Sequence, residues 1–265
     1  MAKFEFVLTR RGDFMAKKKA TKSKRQVIRE QRIQRQRRNR ILTILAIVAV
    51  AIIVVGLLVY PSIQAATAPV GEIINITPEP RPMAAGTAMG DPDAPVLIEI
   101  WEDFQCPACR DYSQNTEPLI AENYVATGDV YYVFRQYPFL DDRVPGNESK
   151  QAANASMCAA EQERFWDYHD MLFANWDGEN RGTFSDKRLV AFAEAINLDM
   201  DSFNSCFEAN LYRADIDQDR ADGTAVGVTG TPSVFVAGQQ LTPGFVPSYQ
   251  QVSDAVEAAL AASGN

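Results

Sequence analysis

The chain has 265 residues, 46% of them hydrophobic and 23% charged, with a formal net charge of −8. That composition excludes a wholly disordered, collagen-like or coiled-coil protein, and the length admits one large domain or two small ones. The charge is split along the chain: residues 1–60 carry 15 Lys and Arg against 3 Asp and Glu, whereas residues 61–265 carry 11 against 31.

From Lys17 to Arg40 there are twelve basic residues and one acid, Glu30. A run of this kind is a solvated arm or a nucleic-acid contact when it stands alone, but the next segment decides otherwise. Ile41 to Tyr60 is twenty residues without a charge, enough for a helix of about 30 Å, the hydrocarbon thickness of a bilayer. A helix packed on a soluble core would show a polar stripe, and none is present. The expected organisation is a basic cytoplasmic arm at 1–40 and a transmembrane helix at 41–60. Basic residues stay on the cytoplasmic side, so the acidic bulk is expected outside the cell membrane. The lipid bilayer is thus an expected partner, with the arm free to pair with anionic headgroups; nucleic acid is not. Ala66-Thr67-Ala68 resembles a signal-peptidase site. The long basic region and long apolar segment favour an uncleaved anchor instead. Met15-Ala16-Lys17-Lys18-Lys19 reads as an alternative start.

Residues 61–90 are rich in Pro, Ala and Gly, with Pro78, Pro80 and Pro82 at alternate positions. They are expected to form an extended extracytoplasmic tether. The domain is expected at 91–265. Val96–Trp101 is a short apolar run after a breaker cluster and reads as a buried strand, as do Val130–Tyr137 and Ser233–Ala237. Arg110–Val125 is helical with a kink predicted at Pro118. Helical stretches follow at 152–162, 164–176, 186–196 and 202–223, and an amphipathic helix at 248–262 closes the chain. The order is strand, helix, strand, helical block (about 148–226), strand, helix, which defines an α/β domain with a helical insertion.

The four cysteines are Cys106, Cys109, Cys158 and Cys206. Cys106-Pro107-Ala108-Cys109 follows the first strand and opens the first helix. Unpaired N–H groups and the positive dipole end there stabilise a thiolate. Cys106 is expected to be the more exposed, attacking sulfur, and Cys109 the one that resolves a mixed disulfide. Zinc would need four ligands, yet the other two cysteines are distant in sequence and the chain has one histidine, His169. A structural bridge across two residues gains little entropy, so redox chemistry is the preferred reading, without metal or cofactor. For Cys158 and Cys206 a structural disulfide is preferred, worth about 4 kcal/mol in the chain-entropy model. A second redox pair and two free thiols are the alternatives.

Met89-Gly90-Asp91-Pro92-Asp93-Ala94-Pro95-Val96 and Glu102-Asp103-Phe104-Gln105-Cys106-Pro107-Ala108-Cys109 resemble the DsbA-like branch of the thioredoxin superfamily. Cys158–Gln162 with Phe165–His169 is similar to that family's helical insertion, and Val228–Ser233 to its cis-proline loop. The resemblance covers about residues 85–262. It implies a thioredoxin fold with an inserted helical subdomain and an extracytoplasmic thiol–disulfide oxidoreductase. By that likeness Cys106 is the nucleophile, Cys109 the resolving thiol, and Thr231 and Pro232 face them at the substrate site. Proline is where a cis bond costs little.

Two departures stand out. Strongly oxidising relatives carry histidine between the cysteines, whereas this chain has Pro107-Ala108, so a less depressed thiolate and a milder potential are expected. Many thioredoxin-fold enzymes also place a buried acid six residues before the first cysteine, where this chain has Ile100. Glu99 should point to the opposite strand face, which leaves Glu102 or Asp103 as substitutes if the loop bends suitably. His169 is expected to be a packing residue. The leading functional expectation is a membrane-tethered oxidase that donates its disulfide to cysteine-containing secreted proteins and is reoxidised by a membrane partner. A reductase or isomerase, and a non-catalytic peptide-binding module, are the alternatives.

Overall fold

The computed structural model describes residues 24–67, 70–143 and 146–264. Residues 1–23 of the basic arm, the alternative start at Met15, and Ala68 of the cleavage-like motif lie outside the described residues. The chain divides into two compact units, residues 1–68 and 69–265.

In the first unit a single helix, α1 (Lys24–Thr67), runs for 44 residues. It contains the one segment among the described residues long and apolar enough to cross a membrane, Ile28–Tyr60. Its apolar side chains are exposed, with Leu57 and Leu58 about 70% so. The expected tether at 61–90 is corrected at both ends. Helix α1 continues through Pro61 to Thr67, because Ser62-Ile63-Gln64-Ala65-Ala66 after the proline is ordinary helix-forming sequence.

The second unit begins as an extended strap. Residues 70–80 have no regular structure, yet Ile73 and Ile76 pack on the main core. The Asn175 side chain brackets Ile74 by accepting from its N–H at 2.8 Å and donating to its carbonyl at 2.9 Å. A free tether would not place two isoleucines against a core; burial of those side chains holds the strap down.

β1 (Ala88–Met89) follows, then β2 (Val96–Glu102) and α2 (Pro107–Asn115). The kink expected at Pro118 is a break at Thr116, after which α3 (Glu117–Ile120) passes into a π-helical turn at Ala121–Val125. β3 (Val130–Gln136) leads into α4 (Glu148–Ala160), α5 (Phe165–Ala174), α6 (Asp186–Ala195), α7 (Met200–Glu208) and α8 (Arg213–Ala225). The helix expected over 202–223 is two, because Asn210 takes a left-handed conformation (φ 49°) between α7 and α8. β4 (Ser233–Val236), β5 (Gln239–Gln240) and α9 (Tyr249–Ser263) complete the chain. A capping box of Ser248 and Gln251 starts α9.

The sheet order is β1-β3-β2-β4-β5, with β2 parallel to β3 and antiparallel to β4. Val96, Ile98 and Ile100 alternate onto one face of β2 and enter the main core with Val130, Tyr132 and Phe134 of β3. Trp101 takes the other face with Tyr137, Val228 and Phe235. This is a thioredoxin-like fold with a helical insertion between β3 and β4. Its consequence for the site is positional: β2 ends, α2 begins, and the loop before β4 comes alongside.

Candidate active site

Glu102 ends β2, and the turn Asp103–Gln105 delivers the chain to Cys106 at the N-cap of α2. The turn is fixed from three sides. The Asp103 carboxylate accepts from the backbone N–H of Gln105 (2.9 Å) and Leu140 (3.0 Å) and from the Ser149 hydroxyl (2.7 Å). The buried Gln105 amide donates to Asp141 and Ser149, and its oxygen accepts from the N–H of Asn180. The indole of Trp176, from the insertion, donates to the Gln105 carbonyl at 2.7 Å. The helical insertion thus clamps the residue that precedes the first sulfur.

Cys106 and Cys109 are both free thiols, 6% and 0% exposed. The order of exposure is as expected from sequence, although Cys106 is nearly covered as well. Its thiol donates to the Thr231 carbonyl at 3.3 Å, and the Thr231–Pro232 bond is cis. The loop expected to face the cysteines therefore does so. The Cys106 thiol is drawn down to about 7. The Cys109 thiol donates to it, burial opposes, and Thr231 with the N–H groups of Cys109 and Ala108 add to the pull. Pro107 at the first helical position has no N–H to contribute, so the stabilisation comes from the second and third residues of the helix. Burial pushes the Cys109 thiol well above its ordinary range, with the Cys106 hydrogen bond and the nearby Cys106 and Glu102 charges adding to it. The two sulfurs are thus pushed in opposite directions.

The position six residues before Cys106 is Ile100 and is apolar core, but Glu102 is fully buried on the same face of β2. β2 runs one residue further than the sequence reading gives it, so strand alternation from Ile98 and Ile100 carries Glu102 inward without any bend of the loop. Burial pushes its carboxyl well above the usual range, and the charges of Glu117 and Cys106 push it further. Neither of its oxygens has a hydrogen-bond partner among the described residues. Asp103 differs: its carboxylate is taken up by Gln105, Leu140 and Ser149, so it is a structural acceptor, and burial raises it to about 6. Glu99 points away, as expected, pairing with Arg135 at 2.9 Å.

His169 is fully buried and ringed by Phe104, Phe134, Phe165, Trp166 and Phe173, which fits the expected packing role. Its Nε2 nevertheless lies 4.0 Å from Glu102 and 3.8 Å from Glu117. Glu117, His169 and Asp170 form the one grouping of metal-ligand-type side chains among the described residues. Arg81 already bridges its two carboxylates, at 2.8 and 2.9 Å, so the chain supplies the counter-charge and no metal is assigned. Glu117 and Arg81 are not legible as site residues in the sequence; a charged residue inside the expected tether, followed by a turn motif, was the available signal.

Beside the thiols a cleft of roughly 300 Å³ is lined by Ala108, by Thr229 to Ser233 and by Gly244, Phe245 and Val246. Phe245 is 78% exposed at its rim. Away from the site, Cys158 of α4 and Cys206 of α7 form a disulfide with Cα atoms 5.8 Å apart.

The sulfur pair at a helix start, the cis-proline loop against it and the sheet order agree with the family comparison, and the chain belongs to the thioredoxin family, whose model matches residues 83–258. Within it the chain is similar to disulfide bond formation proteins and to DsbA structures. It is 26% identical over 162 residues to the probable disulfide bond formation protein D of Bacillus cereus, covering 60% of this chain and 73% of that one. It is 33% identical over 151 residues to the Na(+)/H(+) antiporter NhaA 3 of Salinispora tropica, covering 57% of this chain but only 21% of the antiporter. The chain thus spans about a fifth of the length of that relative. The crystal structure of Wolbachia pipientis alpha-DsbA1 superposes with a TM-score of 0.57 at 24% identity, covering 69% of this chain and 94% of that one, a likeness of fold.

Proposed function

We propose that the chain forms disulfides in secreted, cysteine-containing proteins on the outer side of the cell membrane, with Cys106 as the exchanging sulfur and Cys109 as its partner. The observation that carries this reading is the asymmetry of the two thiols: Cys106 is drawn down to about 7 at the mouth of the Thr231–Pro232 cleft, while Cys109 is buried and pushed up. In the oxidised enzyme a substrate thiolate attacks Cys106 Sγ and breaks the Cys106–Cys109 bond, and the departing Cys109 sulfur takes a proton. The buried carboxyl of Glu102, pushed well above the usual range, is suited to give it. A second substrate thiolate then attacks its own bonded sulfur, releasing Cys106 as a thiolate and leaving the substrate oxidised. Thr231 and Pro232 are the residues we assign to binding the substrate backbone, beside the cleft.

Location outside the membrane is supported by the charge split around a single apolar helix and by the Cys158–Cys206 disulfide, which suits an oxidising compartment. A membrane partner would then reoxidise the dithiol. The direction of electron flow has a rival, reduction of substrates, favoured by one observation: a thiol near 7 resembles the mild pKa of about 7 in thioredoxin more than the value of about 3.5 in a strong oxidant. Measuring the reduction potential separates them. A value towards about −120 mV supports disulfide donation and one near about −270 mV supports reduction. Cys106→Ser should abolish exchange with a dithiol peptide. If exchange survives in that variant, the cysteine assignment fails; if the wild type binds a peptide without exchanging, the domain is a binding module.

A further inference from the structure

Under the thiol pair lies a buried layer of ionisable groups that the reaction above uses only at Glu102. Glu117 comes from the start of α3, His169 and Asp170 from α5, and the fully buried Tyr112 and Tyr132 from α2 and β3. The strap contributes Arg81, with Glu79 close enough for its charge to be felt there. The Arg81 side chain is only 4% exposed. Its Nη2 donates to Glu117 Oε1 and Asp170 Oδ1, and its guanidinium lies 5.3 Å from the centre of the Trp166 ring. Asp170 Oδ1 is also 2.9 Å from His169 Nδ1, while His169 Nε2 faces both Glu117 and Glu102. Glu102 in turn interacts electrostatically with Cys106 and Cys109. Contacts thus run from the strap to Glu102, and charge alone carries the influence on to the sulfurs.

An arginine cannot shed its proton, so it places a permanent positive charge in this layer. A salt bridge on the surface would be screened by water, whereas a charge this deeply buried is felt over several ångströms. We infer that Arg81 is a positioning residue for the thiol chemistry: by bridging Glu117 and Asp170 from the strap, it sets the charge of the buried layer that Cys106 and Cys109 face. Loss of the guanidinium leaves more negative charge under the thiols, which opposes ionisation of Cys106. Loss of the Glu117 charge does the reverse.

This inference rests on the thiol chemistry proposed above, and the experiment separates the two. The rate of alkylation of Cys106 by iodoacetamide is followed against pH in the reduced full-length protein and in Arg81→Gln, Arg81→Lys and Glu117→Gln. Arg81→Gln should move the midpoint up by about half a pH unit, a roughly threefold fall in rate below it. Arg81→Lys should restore most of the shift, and Glu117→Gln should move the midpoint down. A packing role alone predicts lower melting temperatures and unmoved midpoints, and that result overturns the inference. If Arg81→Gln does not fold, Glu117→Gln decides: an unmoved or raised midpoint overturns the inference. A wild type no more reactive than free cysteine sinks the proposed chemistry itself; a reactive wild type with midpoints that do not respond sinks only the role of Arg81.

Discussion

At the scale of single residues, two acids one position apart in the chain have opposite duties. Asp103 spends its carboxylate on three hydrogen bonds that hold the turn, while both Glu102 oxygens are buried with no hydrogen-bond partner among the described residues. Glu102→Gln preserves shape and removes the transferable proton. It should slow release of Cys109 by tenfold or more, by analogy with the roughly 10²- to 10⁴-fold typical of general acids. Stopped-flow exchange measures this, and an unaltered exchange rate rejects Glu102 as the proton source. The lowered Cys106 thiol also makes stability depend on pH in the reduced form. Its folded value of about 7 lies below the ordinary 9.0, so the extra stability is complete above the unfolded value and is lost as pH falls through about 7. Melting curves of reduced minus oxidised protein should show the difference shrinking between pH 9 and pH 6. The cysteine pair and its proline loop were legible in the sequence because each needs a residue type that little else explains. Glu102 was half legible: ending β2 at Trp101 hid the alternation that turns the acid inward. Arg81 and Glu117 were not, because their partners lie 36 and 89 residues away and only the folded chain brings them together.

Among the elements, close packing against α8 makes a sharp demand. A Cβ on Gly223 would come within 2.6 Å of the Trp101 ring, and that ring is held by donating its Nε1–H to the Asp219 carbonyl at 3.2 Å. Gly223→Ala should therefore cost about 1–3 kcal/mol as an overpacked core, offset only slightly by the better helix propensity of alanine. Gly90 is tighter still, with φ +98° and the Val130 carbonyl 2.4 Å from any added Cβ. Removing the Cys158–Cys206 bridge, whose sequence separation is 48, should lower stability by about 4 kcal/mol in the chain-entropy model, with exchange at Cys106 retained below the melting temperature. Urea unfolding of Cys158→Ser/Cys206→Ser checks this. Strands, insertion and final helix followed from hydrophobic period and breakers. The split between α7 and α8 did not, since one asparagine in a left-handed conformation interrupts an otherwise continuous helical composition. Prolines at alternate positions make the strap read as a tether, yet Ile73 and Ile76 within it pack on the core.

At the scale of the whole molecule, a basic arm, one apolar helix and an acidic domain are arranged in that order along the chain. The full chain should sediment with membranes and resist extraction by alkaline carbonate. A maleimide that cannot cross the membrane should label reduced Cys106 in intact cells; labelling only after lysis would reverse the proposed orientation. The strap also bears on where the working unit starts. The family match begins at Met83, and a gene trimmed there would still encode every strand and all four cysteines. It would omit the guanidinium that meets Glu117 and Asp170 in the interior. The boundary recognised by homology and the boundary required for electrostatic balance are therefore not the same, and a domain cut at the first would inherit two carboxylates without their cation.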